Sequence, residues 1–136
     1  MIILLNIIFF HCLCKVSTDP IVRELEWYLR DHLFRQSNTG KTSFRRELLP
    51  NEMKALYLRY RNSNPDQLSN IITSVVEILI VEKVLRQDRN ELKLLGKMIR
   101  LQCVKCFYIN YLLESEPRAC LRCRHKDLQD FPRKKA

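Results

Sequence analysis

Residues 103–123 read CVKCFYINYLLESEPRACLRC: Cys103-Val104-Lys105-Cys106, thirteen further residues, then Cys120-Leu121-Arg122-Cys123. A Cys-x-x-Cys pair folds into a tight knuckle that presents two thiolates on one side, and two knuckles at this separation close on one tetrahedral ion. A soft, sulfur-only ligand set suits Zn²⁺. Binding it folds a segment too short to bury a core of its own. The pattern predicts a zinc site of Cys103, Cys106, Cys120 and Cys123 in a module over residues 102–126. Two other uses of the cysteines stay open, paired disulfides in an exported protein and a redox dithiol. The redox use is disfavoured because no strand-helix unit surrounds either pair and the second pair would lack a role.

The quartet resembles the zinc-ribbon class of modules found in many transcription and replication proteins. The resemblance covers about residues 100 to 126 and specifies a class, not a family. It departs from the usual ribbon at two places where a glycine often follows a knuckle: Phe107 and Arg124 stand there instead.

Upstream, Glu91 to Leu101 reads as a helix with Leu92, Leu95 and Ile99 on its apolar side. Lys93, Lys97 and Arg100, spaced four and three, then form a basic stripe leading into Cys103. Before it, Asn64-Pro65-Asp66-Gln67 is a helix start: Asn64 as N-cap, Pro65 at the first position, Gln67 as capping-box partner. The apolar run Leu68 to Leu85 would be the central buried helix, its length and cap outweighing its β-branched content. A helix from Pro50 to about Arg61 would place Met53, Leu56, Tyr57 and Tyr60 inward or half inward. Asp19-Pro20 starts another, running to about Phe34, with Val22, Leu25, Leu29 and Leu33 inside and Glu24, Glu26 and Asp31 wet. The expected fold is therefore mainly α: a small helical core of about four helices over residues 18–101, the C-terminal four-cysteine zinc module, and a basic tail over 127–136. Between the knuckles, Phe107 to Leu113 reads as a short strand or helical turn docking the module on the helices, with base stacking by Tyr108 or Tyr111 as the functional alternative.

Residues 1–17 are a separate problem. MIILLNIIFFHCLC carries no charged side chain and is too short for a comfortable membrane span. A signal peptide, a buried segment and an uncleaved anchor all remain open for it. Cys12 and Cys14 lie in this leader, so cysteine count does not reveal the redox compartment.

A chain of 136 residues, 46% hydrophobic and 29% charged, with two glycines, is a globular and glycine-poor protein. The net charge is +9, and its distribution matters more. From Arg86 onward 13 basic residues face 6 acidic ones, +7, against 11 and 9, +2, before it. Such a field attracts polyanions, most commonly nucleic acid. The expected contacts are Lys93, Lys97, Arg100, Lys105, Arg118, Arg122, Arg124 and Lys126, with Arg133, Lys134 and Lys135 as a nonspecific clamp or nuclear-import patch.

Catalysis finds no constellation. His11, His32 and His125 are scattered, no His-Glu-x-x-His or nucleophile elbow occurs, and a four-thiolate zinc has no open position. Gly40-Lys41-Thr42 lacks the first glycine of a phosphate loop. The expectation is a non-enzymatic, zinc-binding, nucleic-acid-binding accessory protein of a transcription or replication assembly. It would be nuclear or cytoplasmic, bind DNA or RNA with low sequence specificity, contact a protein assembly, and take no small-molecule substrate. A membrane role would arise only if the leader is an anchor. The alternatives are a secreted, helical, signalling-type protein with the four C-terminal cysteines in disulfides, and a zinc-bearing protein-protein adaptor.

Overall fold

The computed structural model describes residues 19–132. The expectations for the leader, including Cys12 and Cys14, and for Arg133, Lys134 and Lys135 lie outside these residues.

The first helix, α1, spans Pro20–Asn38 and starts as its sequence dictates: the Asp19 carboxylate accepts from the Ile21 amide at 2.9 Å, with proline in the first turn. It is a turn longer than expected. A short strand, β1 (Ser43–Arg45), and a 3₁₀ turn lead to α2 (Leu49–Leu56), and a second 3₁₀ turn covers Leu58–Tyr60. The expected helix to Arg61 thus ends early, and Tyr57 is already extended. Helix α3 is Pro65–Val81, where Asn64 Oδ1 accepts from the amides of Asp66 and Gln67. It stops because Lys83 takes φ 63, which breaks the helical path before Val84 and Leu85 are reached.

The strands of the second half of the chain overturn the expectation of a mainly α fold. Strands β2 (Leu85–Asp88) and β3 (Glu91–Leu94) form a hairpin pairing Asp88 with Glu91, and β3 also pairs with β1 in the order β1-β3-β2. Strands β4 (Met98–Cys103), β5 (Ile109–Leu113) and β6 (Leu128–Asp130) form a second antiparallel sheet in the order β5-β4-β6. The described residues therefore hold three α-helices and two three-stranded sheets, a mixed α/β fold. The expected helix Glu91–Leu101 does not exist. Leu92 and Leu94 are buried on one side of a strand while Lys93 points away, a period of two rather than 3.6. Arg89 and Asn90 are the hairpin connection between β2 and β3, with Arg89 at φ 57 and its carbonyl accepting from the Gln87 side chain at 2.6 Å.

The first sheet and the helices share one core. Leu25, Leu29 and Leu33 of α1 pack with Ile72, Val75, Val76 and Leu79 of α3, closed by Phe44, Met53, Leu85 and Leu92. Each such leucine contributes roughly 1.5–3 kcal/mol by burial. The elements run helix, strand, two helices and hairpin, with β1 returning to pair with β3.

Helix α1 also carries the second sheet. The Trp27 indole N–H donates to the Ile109 carbonyl at 2.8 Å, its ring meets Tyr111 edge-on, and Arg23 donates to the Leu121 carbonyl at 2.9 Å. Tyr111 is buried against α1, so it serves in docking and offers no face to a base. Asp31, expected on the wet side, is buried and accepts from Tyr57 Oη at 2.6 Å and from Arg35 at 2.9 Å. No helix of the described residues is long and apolar enough to cross a membrane.

Candidate metal centre

Strand β4 ends on Cys103, and the chain turns through Val104-Lys105 to Cys106 before entering β5. The second knuckle, Cys120 to Cys123, precedes β6, which returns to β4 with Cys103 opposite Leu128. Each knuckle is closed by backbone: the Phe107 amide donates to the Cys103 carbonyl at 3.0 Å, and the Arg124 amide to the Cys120 carbonyl at 2.9 Å. That closure requires a left-handed residue after each second cysteine, and Phe107 (φ 64) and Arg124 (φ 70) adopt it. For a residue with a Cβ this costs about 1–2 kcal/mol, a cost glycine escapes.

The topology brings all four predicted ligands together. Their sulfur atoms lie within 4.8 Å of one another, with Cys103 and Cys120 buried and Cys106 and Cys123 half-buried. Two of the separations run between knuckles, Cys103 to Cys123 at 3.5 Å and Cys106 to Cys120 at 3.6 Å. A tetrahedron with metal–sulfur bonds of about 2.3 Å has edges of about 3.8 Å, while a disulfide needs about 2.05 Å. The four cysteines are placed to hold a metal ion, and the all-thiolate set is consistent with zinc.

The surroundings favour thiolates. Lys105 and Cys106 amides point at Cys103 Sγ from 3.4 and 3.5 Å, and the Arg122 amide points at Cys120 Sγ from 3.4 Å. Burial works against the charged form at both sites, but N–H donors outweigh it, at Cys120 the Cys123 amide and the Asn110 side chain ahead of the Arg122 amide. The Cys103 thiol is held below its usual range, and that of Cys120 is pulled down to about 6. Cys106 receives a backbone donor but also burial and three sulfur neighbours, and rises to about 12. Four thiols this close cannot all ionise without a cation among them.

Asn110, fully buried on β5, escaped sequence reasoning. Its amide nitrogen lies 3.5 Å from Cys120 Sγ and 3.2 Å from the Tyr108 carbonyl, and its oxygen accepts from the Leu121 amide at 2.8 Å. One side chain thus fastens the second knuckle to the strand leaving the first. A polar residue between Ile109 and Tyr111 in an otherwise apolar strand was the available signal.

The expected nucleic-acid contacts are dispersed differently. Lys93 lies on β3 in the first sheet, paired with Asp88 at 3.3 Å, and Lys97 is exposed between β3 and β4. Arg100 lies on β4, its guanidinium between the rings of Phe34 and Phe131 at 5.1 and 5.4 Å. Without the helix, these three make no stripe. Lys105, Arg122, Arg124 and Lys126 are exposed on or beside the knuckles, and Arg118 is exposed in the turn before the second. Arg122 sits over the Tyr108 ring at 5.8 Å.

Between α1 and the module is a cleft of about 320 Å³ floored by Arg30 and edged by Glu26, Glu82, Tyr108 and Arg124. Arg30 is buried and bonds to Glu26, Glu82 and Glu116, a group hidden in sequence except for the Glu26–Arg30 spacing of four. Comparison with known proteins finds no family model, no curated protein and no solved structure that matches the chain.

Proposed function

We propose that the chain binds one Zn²⁺ through Cys103, Cys106, Cys120 and Cys123, and that the zinc-organised end binds nucleic-acid phosphates as an accessory of a transcription or replication assembly. The observation that carries this is the convergence of four sulfurs within 4.8 Å beneath exposed Lys105, Arg122 and Lys126. The ion supplies a rigid crosslink and no chemistry, since four thiolates leave no open coordination position. The cations supply affinity through counterion release, with little sequence choice because they reach phosphates rather than base edges. Helix α3 carries no Lys or Arg, so phosphate contact falls to the knuckles. Thiolate ligands suit a reducing compartment, nucleus or cytoplasm.

The test is a binding series across salt on duplex and single-stranded oligonucleotides with zinc-loaded protein. Three phosphate contacts give a slope of log affinity on log salt near about −2.7 on duplex and about −2.1 on single strands. Charge reversal at Lys105 and Arg122 together reduces the slope on every sequence alike. No binding at low salt to either form would overturn the nucleic-acid reading and leave the metal assignment standing.

A further inference from the structure

Phe107 is a poor choice for its own backbone, because it holds a left-handed φ of 64 where glycine is the residue without strain. Packing does not repay this, since the side chain is 69% exposed. A strained residue that gives nothing to the core points to work at the surface. The other aromatic groups near the knuckles are engaged: Tyr111 is buried, Arg122 covers Tyr108, Trp27 is tied to the Ile109 carbonyl, and Arg100 lies over Phe131. Phe107 is the most exposed aromatic among the described residues. Its carbonyl is held by Gln102 Nε2 at 3.1 Å and its amide by the Cys103 carbonyl, so the ring projects from a fixed turn. Lys105 is exposed two residues earlier in the same turn.

We infer that Phe107 is a stacking platform for an unpaired base, and that Lys105 takes a neighbouring phosphate of the same strand. The ligand class is single-stranded nucleic acid. A duplex keeps its base faces covered, whereas a single strand offers a face to an aromatic ring beside a cation whatever the sequence. Charge complementarity supports this occupant, since the chain from Arg86 onward carries +7. The assignment rests on the proposed phosphate-binding surface and refines it.

The experiment uses the full, zinc-loaded chain with Phe107→Gly and Phe107→Trp, a fluorescent single-stranded oligonucleotide and a duplex of equal length at fixed salt, with thermal unfolding of each variant. Phe107→Gly removes the ring and the strain together. Its expected signature is unchanged or higher thermal stability, single-strand affinity lowered about tenfold or more, an unchanged salt slope, and duplex affinity within about twofold. Phe107→Trp retains single-strand binding. If wild type binds and Phe107→Gly binds single strands equally well, or weakens on single strand and duplex alike, the stacking assignment is overturned while the phosphate surface stands. If wild type binds neither form at low salt, both readings fall.

Discussion

Arg30 and Glu116 face each other across the junction of the two halves of the chain. Nη1 and Nη2 of the arginine donate to the two carboxylate oxygens of the glutamate at 2.9 and 3.2 Å. Nη1 also donates to the Tyr111 carbonyl at 2.7 Å, and Glu116 Oε1 accepts from the Leu113 amide at 2.8 Å. The middle of α1 is thereby bonded to the end of β5 and the turn that begins the return to the second knuckle. Paired charge in this position fixes an orientation that apolar contact alone would leave free to slide.

Replacing Glu116 by Ala leaves a buried guanidinium with two carboxylates of poorer geometry and exposes the Leu113 amide. Global stability should fall by about 2–3 kcal/mol in denaturant unfolding. A loss below about 0.5 kcal/mol would mean that Glu26 and Glu82 fully replace the missing partner.

Glu82 carries the cost of sharing Arg30. Burial is the main cause of its shift, reinforced by Glu26 and opposed by Arg30, whose two-oxygen pairing is already taken by Glu116. The Glu82 carboxyl is pushed up from 4.5 to about 7. The folded protein then holds a proton that the unfolded chain has released, so this group lowers stability as pH rises from about 4.5 to about 7. Glu82→Gln should gain on wild type across that window, by about 1–2 kcal/mol after solvent screening, and level off above it. Urea midpoints of both proteins over the range check it, and a constant difference would refute it.

His32 slopes the other way. Burial, opposed by Glu52, holds its imidazolium below the ordinary pKa of 6.5, and Nε2 has no hydrogen-bond partner although Glu52 Oε1 lies 3.5 Å away. The unfolded chain takes up the proton first, so this contribution is present above about 6.5 and is lost as pH falls below it. His32→Gln, compared with wild type, should lose that acid-side slope.

Asn110→Ala should leave the four sulfurs in place and weaken the metal. Removing its N–H to Cys120 and its acceptor for Leu121 takes away support around the ligands, worth roughly 10- to 100-fold in affinity. Competition against a chromophoric chelator measures this, and equal affinities would show that the knuckles hold themselves.

Chelation should act unevenly. Hydrogen exchange is expected to rise first in the two knuckles and β6, whose Val104–Asp127 and Cys120–His125 backbone bonds depend on their closure. The amides of α3 should remain protected by a core that does not include the sulfur cluster. One zinc per chain, lost on replacing both Cys103 and Cys120 by Ser, is the accompanying metal analysis. Uniform loss of protection would mean the metal supports the whole fold.

What the sequence determined by itself were features whose cause is local. The caps at Asp19 and Asn64 follow from a side-chain oxygen and a proline at adjacent positions, and the structure has both. The inward Leu25, Leu29 and Leu33 follow from helical spacing. The ligand quartet follows from the reach of a Cys-x-x-Cys turn. Tertiary structure decided the rest. Leu92-Lys93-Leu94 followed by Leu95-Gly96-Lys97 satisfies a helical stripe nearly as well as a strand. The deciding partners, Phe44 of β1 opposite Leu92 and Leu113 of β5 opposite Met98, lie 48 and 15 residues away in the chain, beyond any local window. The same distance hid the Arg30 cluster, whose Glu82 and Glu116 lie 52 and 86 residues on, while Asn110 meets Cys120 and Leu121 only 10 and 11 residues on, but across the closed knuckle rather than along one element. Burying a charge or an amide is favourable only with partners, and theirs arrive from Glu82, Glu116, Cys120 and Leu121 when the chain has folded back on α1.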